Sequence, residues 1–435
     1  METHLNNLII NIKLFTMKKL LTFFVAMIAS ITMMAQVTTS SISGKVTDEK
    51  KGVLPGATVV ATHTPSGSQY YAVADQNGTY RLLNVRPGGP YKIEVRMVGF
   101  QTNIHEGVTA TLGENKILNV VLKEEAVGLG EVTISAEAIP NGMDSDRAGA
   151  TTAISNEQIA ALPTVSRSLN DVLALTPQAA SNTSGLAIGG GNYRQSYVTV
   201  DGAAFNNAFG IGQNLPSGGS PISLDALEMM TINVTPFDVR QSGFTGGAIN
   251  AVTKSGTNEW HASIYDFFQN NNLKGYYVND NALSNTYSLN NTAGITLGGP
   301  IVKDKLFFFV NAEYSSDVLP GSSSVARTDA SQLYGDDVNY NRPLESDMEM
   351  IKNFLAENFN GYNPGRYQGY SLSTPDYKVL ARLDWNINDN NKLNVRFSNT
   401  HSSYSNPPSS SMSPVGGTNT TYTFGGQSYT FNRYS

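Results

Sequence analysis

The sequence contains no cysteine in its 435 residues. Disulfides, thiolate metal sites, a cysteine nucleophile and a lipid-anchored cysteine are therefore excluded. Charged residues make up only 15% of the chain, against about 25% in a typical soluble protein, whereas glycine occurs 40 times. This composition indicates a β-rich or membrane-associated protein. The net charge of -6 comes without clusters of basic residues, so we expect no nucleic-acid partner.

Beyond the N-terminus, the sequence also lacks an apolar run long enough for a transmembrane helix. The early run follows Met17 and two lysines, covers residues 20–34 and ends in Ala35 and Gln36. A charged start, an apolar middle and a small-residue end are typical of a secretory signal, and the run is shorter than the ~20 residues of a spanning helix. We expect residues 1–36 to be a signal region starting at Met17, with an uncleaved anchor as the alternative. Such an exported chain could enter a membrane only as a β-barrel.

Residues 37–124 show short alternating apolar segments separated by turn residues. Ile42 and Val46 would share one strand face, and Tyr91 and Ile93 another. Pro-Gly and Asp-Gln-Asn-Gly sequences supply the turns between such segments. Regular spacing of this kind predicts an antiparallel β-sandwich.

Four motifs in this segment identify it further: Gly-Lys-Val-Thr-Asp at residues 44–48, Leu-Pro-Gly-Ala-Thr-Val at 54–59, Asp-Gln-Asn-Gly-Thr-Tyr at 75–80 and Val-Gly-Phe at 98–100. Together they resemble the carboxypeptidase regulatory-like domain. The resemblance covers nearly the whole segment. It implies a transthyretin-like fold and an accessory role without catalysis.

Residues 125–137 form a linker with a short candidate strand at residues 128–135, where Val132 and Ile134 alternate with polar neighbours. Such a segment can add an edge strand to the sheet of another protein. Its position and pattern resemble the TonB box of outer-membrane receptors. The resemblance implies that a TonB-type inner-membrane energy-coupling protein binds this strand through Leu129, Glu131, Val132, Thr133 and Ile134. A linker strand without a partner is the alternative.

Residues 138–256 mix helix and strand signals. A capping box at residues 155–158 predicts a short helix, and a second helix would carry Leu169, Val172 and Leu173 on one side. Strands follow, one of them ending in Asp-Gly at residues 201–202.

The order of these elements, with Gly-Gly-Ala-Ile-Asn-Ala-Val-Thr-Lys at residues 246–254, resembles the plug domain of TonB-dependent receptors. Residues 235–243 resemble the Oar-like and starch-utilisation-type members more than the siderophore receptors. Arg194 and Arg240 could pair with carboxylates that line a barrel lumen. Ordinary surface arginines are the alternative.

Residues 257–435 are rich in aromatic side chains and alternate between apolar and polar positions. An apolar face and a polar face predict strands with lipid outside and water inside. Long and short connections also alternate, as in outer-membrane barrels. At about 30 residues per strand, a plugged barrel of ~22 strands would need on the order of 650 residues beyond the plug, so we expect an N-terminal fragment. The candidate strands are residues 259–270, 290–301, 305–316, 377–387, 392–401 and 421–434.

Motifs of catalysis are missing: there is no His-Glu-x-x-His array and no Gly-x-Ser-x-Gly elbow. We therefore expect no enzyme, no cofactor and no metal site. The acidic residues 336–337 and 345–349 are interpreted as a solvated charge run, with calcium binding as the alternative. In the same predicted extracellular link, Tyr362, Tyr367 and Tyr370 could contact a ligand, or anchor at the membrane interface.

The predicted fold is multidomain and mainly β: a transthyretin-like sandwich, an α+β plug and the first, about six, strands of an incomplete antiparallel transmembrane barrel. The order of these parts predicts a TonB-dependent receptor of the Gram-negative outer membrane, in contact with its lipid, with sandwich and plug on the periplasmic side. It would take up a bulky nutrient such as an oligosaccharide, peptide or chelate. One alternative is an adhesion or surface-binding protein of the same architecture without transport; another is a secreted enzyme with a carbohydrate-binding sandwich.

Overall fold

The computed structural model describes residues 37–124, 132–135, 151–162, 167–173, 175–182, 185–205, 215, 220–234, 241, 244–273, 275, 277–278, 281–282, 288–321, 325–332, 340–389, 391–406 and 427–434. The predicted signal region lies outside this set. The described chain has the predicted mainly β fold, with a sandwich, a mixed α+β unit and an open sheet of six antiparallel strands. Among these residues, no helix has both the length and the apolar character needed to cross a membrane.

The N-terminal part, here called the sandwich, packs two sheets face to face. One sheet has the order β4-β1-β7, with β8 also on β1, and the other has the order β3-β2-β5-β6-β9. Alternate side chains point into a shared core, in which Ile42, Val46, Tyr91 and Ile93 are fully buried. Burial of one such aliphatic side chain stabilises the fold by ~1.5–3 kcal/mol. The strands are β1 Ser40–Asp48, β2 Thr58–His63, β3 Ser68–Val73, β4 Thr79–Val85, β5 Gly88–Arg96, β6 Asn103–Ala110, β7 Asn115–Ile117, β8 Val120–Leu122 and β9 Val132–Ser135.

The second part, here called the inner unit, is a five-stranded sheet in the order β10-β15-β16-β13-β14 with two short helices and a β11-β12 hairpin. The predicted capping box is present: Ser155 Oγ accepts from the Gln158 backbone N–H, and Gln158 Oε1 accepts from the Ser155 N–H. Its elements are β10 Thr151–Ser155, α1 Asn156–Ala161, α2 Leu169–Leu173, β11 Ala179–Asn182, β12 Gly185–Ile188, β13 Tyr197–Val200, β14 Ala203–Ala204, β15 Leu227–Asn233 and β16 Ala248–Thr253.

The third part, here called the outer sheet, contains the six long strands β17, β20, β21, β24, β25 and β26, which pair in sequence order as an antiparallel meander. Its connections alternate as predicted, with long links at residues 271–288, 321–370 and 407–426 and short ones at 303–305 and 389–390. The elements are β17 His261–Asn270, β18 Tyr277–Val278, β19 Asn281–Ala282, β20 Leu289–Val302, β21 Leu306–Pro320, β22 Val325–Arg327, β23 Tyr340–Leu344, α3 Glu345–Asn358, β24 Ser371–Asn388, β25 Asn391–Asn406 and β26 Gln427–Tyr434.

Two features of the outer sheet differ from the sequence-based expectation. Strand β21 extends to Pro320 and strand β24 begins at Ser371, so both strands are longer than predicted. Their backbone pairing extends beyond the apolar alternation from which the strands were predicted. The acidic residues 345–349 begin helix α3, a helix that was not predicted from the sequence in this link. Glu345 and Asp347 lie in its first turn, where a negative charge is favourable.

The two faces of the outer sheet have opposite surroundings. On the outward face, Val310, Tyr314 and Val379 are exposed. On the inward face, Phe309 and Leu380 are buried and belong to the same apolar cluster as the core of the inner unit. The inner unit therefore lies directly against the inward face.

Candidate functional site

The contact between the inner unit and the outer sheet contains two groups of buried polar side chains. The first is centred on Asp201, which follows β13 in the left-handed backbone region, with φ of 45°. This turn directs the carboxylate toward β16, where its Oδ1 accepts from the Thr253 N–H at 2.9 Å and its Oδ2 from the Thr253 hydroxyl at 2.6 Å. These two hydrogen bonds within the inner unit position the carboxylate without any contribution from the outer sheet.

Two arginines of the outer sheet reach this carboxylate. Arg396 Nη1 lies 2.8 Å from Asp201 Oδ2 and also donates to the Val200 carbonyl at 2.7 Å. Arg382 Nη1 lies 3.8 Å from Asp201 Oδ1 and donates to the Thr253 carbonyl at 2.8 Å. The inner unit is therefore bound by charge-assisted hydrogen bonds, which are stronger than neutral ones.

Arg382 is also paired within its own strand. Its Nη2 and Nε donate to the two carboxylate oxygens of Asp384, both at 2.9 Å. Burial alone would raise the pKa of Asp201, but Arg382, Arg396 and the hydrogen bonds from Thr253 outweigh this effect, and its pKa lies below the usual value. Asp201 therefore remains charged at neutral and mildly acidic pH.

The second group surrounds Glu313 on β21. Lys378 Nζ lies 2.9 Å from Glu313 Oε1 and 3.0 Å from Asp376 Oδ2, and at most 7% of each of these three side chains is exposed. Ser223 of the inner unit and Tyr265 of β17 each donate to Glu313 Oε2 at 2.8 Å. Because Glu313 and Lys378 are direct neighbours across the β21-β24 pair, the sheet itself positions this ion pair.

Further contacts hold the turn around Ser223. Lys378 Nζ donates to Ser220 Oγ at 3.3 Å, and the Thr400 hydroxyl donates to the Pro221 carbonyl at 2.7 Å. Arg167 forms an ion pair with Asp225, and its guanidinium lies over the Phe267 ring, 4.2 Å from the ring centre. A 3-10 turn, Leu224–Ala226, lies at the centre of these contacts.

Among the described residues, the arginines that contact Asp201 are Arg382 and Arg396 of the outer sheet, which were not the ones predicted to hold the plug. Arg194 is exposed beside the Tyr193 ring, and Arg240 lies outside the described residues, so their pairing with a lumen stays a prediction. The observed contact has the opposite polarity, because the inner unit contributes Asp201 and the outer sheet contributes Arg382 and Arg396.

The TonB-box-like segment is described in part. Leu129 and Glu131 lie outside the described residues, whereas the remaining residues form β9, which pairs in parallel with β6 of the sandwich. The register places Asn103 opposite Val132 and Glu106 opposite Ser135. The segment therefore forms an extended strand on a sheet of its own chain.

The three tyrosines of the long link have different environments. Tyr362 is exposed, and Tyr370 is half-buried beside Gly321. Tyr367 is buried in a small cluster with Ala326 and Met348 of α3. Of the three, Tyr362 is thus the most accessible to a ligand, and Tyr367 supports the folded link.

The sandwich contacts the ends of the outer strands next to the short turns. The Asn258 N–H donates to the Pro65 carbonyl at 2.8 Å, and Asn386 Nδ2 donates to Ser68 Oγ at 2.9 Å. Lys392 Nζ donates to the Gln69 carbonyl at 2.7 Å and lies 3.3 Å from the centre of the Tyr70 ring. The sandwich is therefore attached at the end of the sheet opposite the long links.

The sandwich also contacts the inner unit. Val37 and Leu112 share a buried cluster with Met229 and Val252. A cavity of about 770 Å³ lies where the three parts meet, and its lining includes Asp201 and Glu228. Burial raises the pKa of Glu228, although nearby Arg86 and Lys254 oppose the shift.

Comparisons with known proteins agree with this architecture. The carboxypeptidase regulatory-like domain family matches residues 41–123, and the outer membrane beta barrel domain family matches residues 252–434. The TonB-dependent transporter Oar of Myxococcus xanthus is 30% identical over 291 residues, which cover 62% of this chain and 26% of that protein. This chain thus spans about a quarter of the length of the curated relative that it matches.

Two solved structures show weaker similarity. The outer membrane transporter YddB from Escherichia coli has a TM-score of 0.42 at 14% identity, over 59% of this chain and 33% of that chain. The siderophore receptor PirA from Acinetobacter baumannii has a TM-score of 0.38 at 18% identity, over 60% of this chain and 32% of that chain.

The family matches confirm two of the predicted parts: residues 41–123 are similar to the carboxypeptidase regulatory-like domain, and residues 252–434 are similar to an outer membrane beta barrel domain, in agreement with the predicted location in the Gram-negative outer membrane. More narrowly, the predicted resemblance is confirmed: the chain is similar to the TonB-dependent transporter Oar, and its carboxypeptidase regulatory-like domain precedes the outer membrane beta barrel domain. The curated relative is a transporter, in agreement with the expectation from the missing catalytic motifs.

Proposed function

We propose that the protein is an outer-membrane receptor that takes up a bulky nutrient, with energy supplied by a TonB-type inner-membrane protein. In this proposal residues 37–124 are a periplasmic accessory domain, 125–137 contain the TonB box, 138–256 are the plug and 257–435 are barrel wall. The observation that supports it most directly is the contact between the inner unit and the outer sheet, in which charged and polar groups take a large part.

Such a contact is suited to reversible movement. Arg382 is bonded to Asp384 within β24, and Lys378 is bonded to Glu313 and Asp376. These pairs remain when the inner unit moves away, so Arg382 and Lys378 would not become unpaired buried charges, which are costly. Arg396 would exchange its two inner-unit partners, Asp201 and the Val200 carbonyl, for water.

On the inner unit, Asp201 would lose both arginines but keep its two hydrogen bonds from Thr253. Water in a barrel lumen can replace the lost partners, because hydrogen bonds to water are nearly as favourable as direct ones. Displacement of the plug would therefore exchange polar partners, while the apolar contact at Phe309 and Leu380 is the part that resists separation.

The long link at residues 321–370 is proposed to take part in ligand capture. Helix α3 exposes Met350, Ile351 and Phe354 at helical spacing, and Phe359 and Tyr362 follow it. Exposed apolar and aromatic side chains so close together are typical of binding surfaces. They suit a bulky ligand with apolar or planar groups, such as a peptide, oligosaccharide or chelate.

The box assignment can be tested with the periplasmic domain of a TonB-type protein from the same bacterium. In the intact protein, Val132→Pro and Ile134→Pro together remove two backbone donors and should abolish binding of that domain, because strand addition depends on main-chain hydrogen bonds. Val132→Thr, which keeps the backbone donor, is the matched control and should bind normally. Unchanged binding by the proline variant would contradict the box assignment and would favour the surface-binding alternative.

A further inference from the structure

The sandwich holds the box-like strand at the end of a five-stranded sheet. In the order β3-β2-β5-β6-β9, strand β9 is the last member, and its four residues, Val132–Ser135, pair with residues 103–106 of β6. The pairing stops at Gly107, whose φ of 76° redirects the main chain of β6. The backbone of the box-like strand is thus extended and ordered on its own sandwich.

Strand β6, on which β9 lies, is itself held in the sandwich by buried side chains and a hydrogen bond. Ile104 and Val108 of β6 are buried, and Asn103 Nδ2 donates to the Val121 carbonyl of the opposite sheet at 3.1 Å. The sandwich is itself fixed to the outer sheet through Lys392 and to the inner unit through Leu112. Strand β9 therefore lies at one edge of the five-stranded sheet, and the opposite edge, β3, contacts the outer sheet.

A strand that pairs along one edge still has main-chain donors and acceptors along its other edge. An edge of this kind is a template for a further strand. Ordering a free segment costs about 1–2 kcal/mol per residue, and for β9 this cost is already met by pairing with β6. A partner would therefore meet a preformed strand edge.

We propose that the sandwich presents the box-like strand as a preformed edge, and that the TonB-type protein adds its own strand to β9 while β9 remains paired with β6. The inference rests on the proposed function, since it takes residues 129–134 as the box. It gives the accessory sandwich a specific role, as part of the surface that the energy-coupling protein recognises.

Disulfide cross-linking can test this role cleanly because the sequence has no cysteine of its own. Glu106 is exposed and lies opposite Ser135 in the register, so Glu106→Cys with Ser135→Cys should oxidise readily in the intact protein. The control pair, Glu106→Cys with Val132→Cys, is three residues out of register, about 10 Å at ~3.3 Å per residue. This exceeds the ~7 Å limit for a disulfide, so the control should oxidise much more slowly.

The probe is the purified periplasmic domain of a TonB-type protein from the same bacterium, titrated onto the intact protein in detergent. With β9 locked on β6, we expect binding as tight as in the reduced form, because β9 is already ordered by its pairing with β6. A tenfold or greater loss of affinity on oxidation, restored by reductant, would overturn the inference, because the strand would then have to leave β6 to bind. Equal oxidation rates of the matched and control pairs would also overturn it.

The same experiment separates this inference from the proposed function. If the unmodified protein binds the probe and the locked protein does not, the presentation role fails while the box assignment stands. If neither form binds, the box assignment fails and the presentation role fails with it.

Discussion

The core of the sandwich and the contact between the inner unit and the outer sheet are both buried, but they are built from different side chains. Ile42, Tyr91 and Ile93 fill the sandwich core with fully buried apolar groups. At the inner-unit contact, Asp201 and Lys378 are buried charges. One region excludes water permanently, whereas the other holds partners that water can replace.

The physical consequence of this difference is reversibility. Apolar burial contributes about 25 cal/mol per Å², and water offers no substitute for the lost contacts. A buried ion pair repays its desolvation only with good geometry, so it adds little net stability while it specifies one arrangement. We infer that the sandwich core stays packed, whereas the contact between the inner unit and the outer sheet can be released and re-formed.

The absence of cysteine allows each region to be followed separately. Ala61 in the sandwich and Ala251 in the inner unit are both buried, and each can be replaced by a single reporter cysteine. The urea concentration at which a thiol reagent labels the reporter measures the stability of its region. Ala61→Cys and Ala251→Cys thus form a matched pair of reporters, one for each region.

The largest effect is expected from Lys378→Met, which removes the cation between Glu313 and Asp376. Leaving a buried charge unpaired costs about 3–5 kcal/mol. The Ala251→Cys reporter should become reactive at markedly lower urea, and the Ala61→Cys reporter should not change. Adding Glu313→Gln and Asp376→Asn should recover most of the loss. An equal shift of both reporters would mean that the two regions are not independent.

A sandwich substitution should give the reverse pattern. Ile93→Ala leaves a cavity in the fully buried core and should destabilise the sandwich by about 2–5 kcal/mol. The Ala61→Cys reporter should shift and the Ala251→Cys reporter should shift much less. Val73→Ala, at an exposed position of the same sandwich, is the matched control and should be nearly neutral. A large shift of the inner-unit reporter would show that the sandwich supports that unit directly.

A smaller change is expected from Asp201→Asn. The amide keeps a hydrogen bond to Thr253 but loses the charge that pairs with Arg396 and Arg382, a loss of about 1.5–3 kcal/mol. Labelling of the Ala251→Cys reporter should begin at lower urea. Arg194→Gln removes an exposed charge on the same unit and should have no measurable effect. If Arg194→Gln has the larger effect, the pairing of Asp201 with Arg382 and Arg396 is not what holds the inner unit against the outer sheet.

The sequence predicted the elements of both regions because their signals are local. The capping box at Ser155 and the alternation in β21 and β24 depend on neighbouring residues, and the structure contains both. The partners of each contact could not be predicted in this way, because Asp201 and Arg396 are 195 positions apart and meet only through the packing of separate units. Likewise, Tyr367 is buried because it packs against Met348 of helix α3. This helix was not predicted from the sequence, since its first turn was interpreted as a charge run.

The last expected effect is a difference in acid sensitivity between the two regions. Burial, together with Arg86 and Lys392, lowers the pKa of His63 to about 3. The unfolded chain therefore binds a proton below pH ~6.5 that the folded sandwich does not, and the sandwich loses up to ~1.4 kcal/mol per pH unit on acidification. Asp201 behaves differently, because its pKa is lowered in the folded protein. Its contribution to folding stability is therefore lost only at lower pH, as the pH falls through this lowered pKa. Between pH 6.5 and 4.5 the Ala61→Cys reporter should shift to lower urea more than the Ala251→Cys reporter, with labelling normalised to the unfolded protein at each pH. His63→Gln should flatten the response of the sandwich; an unchanged slope would show that another group controls it.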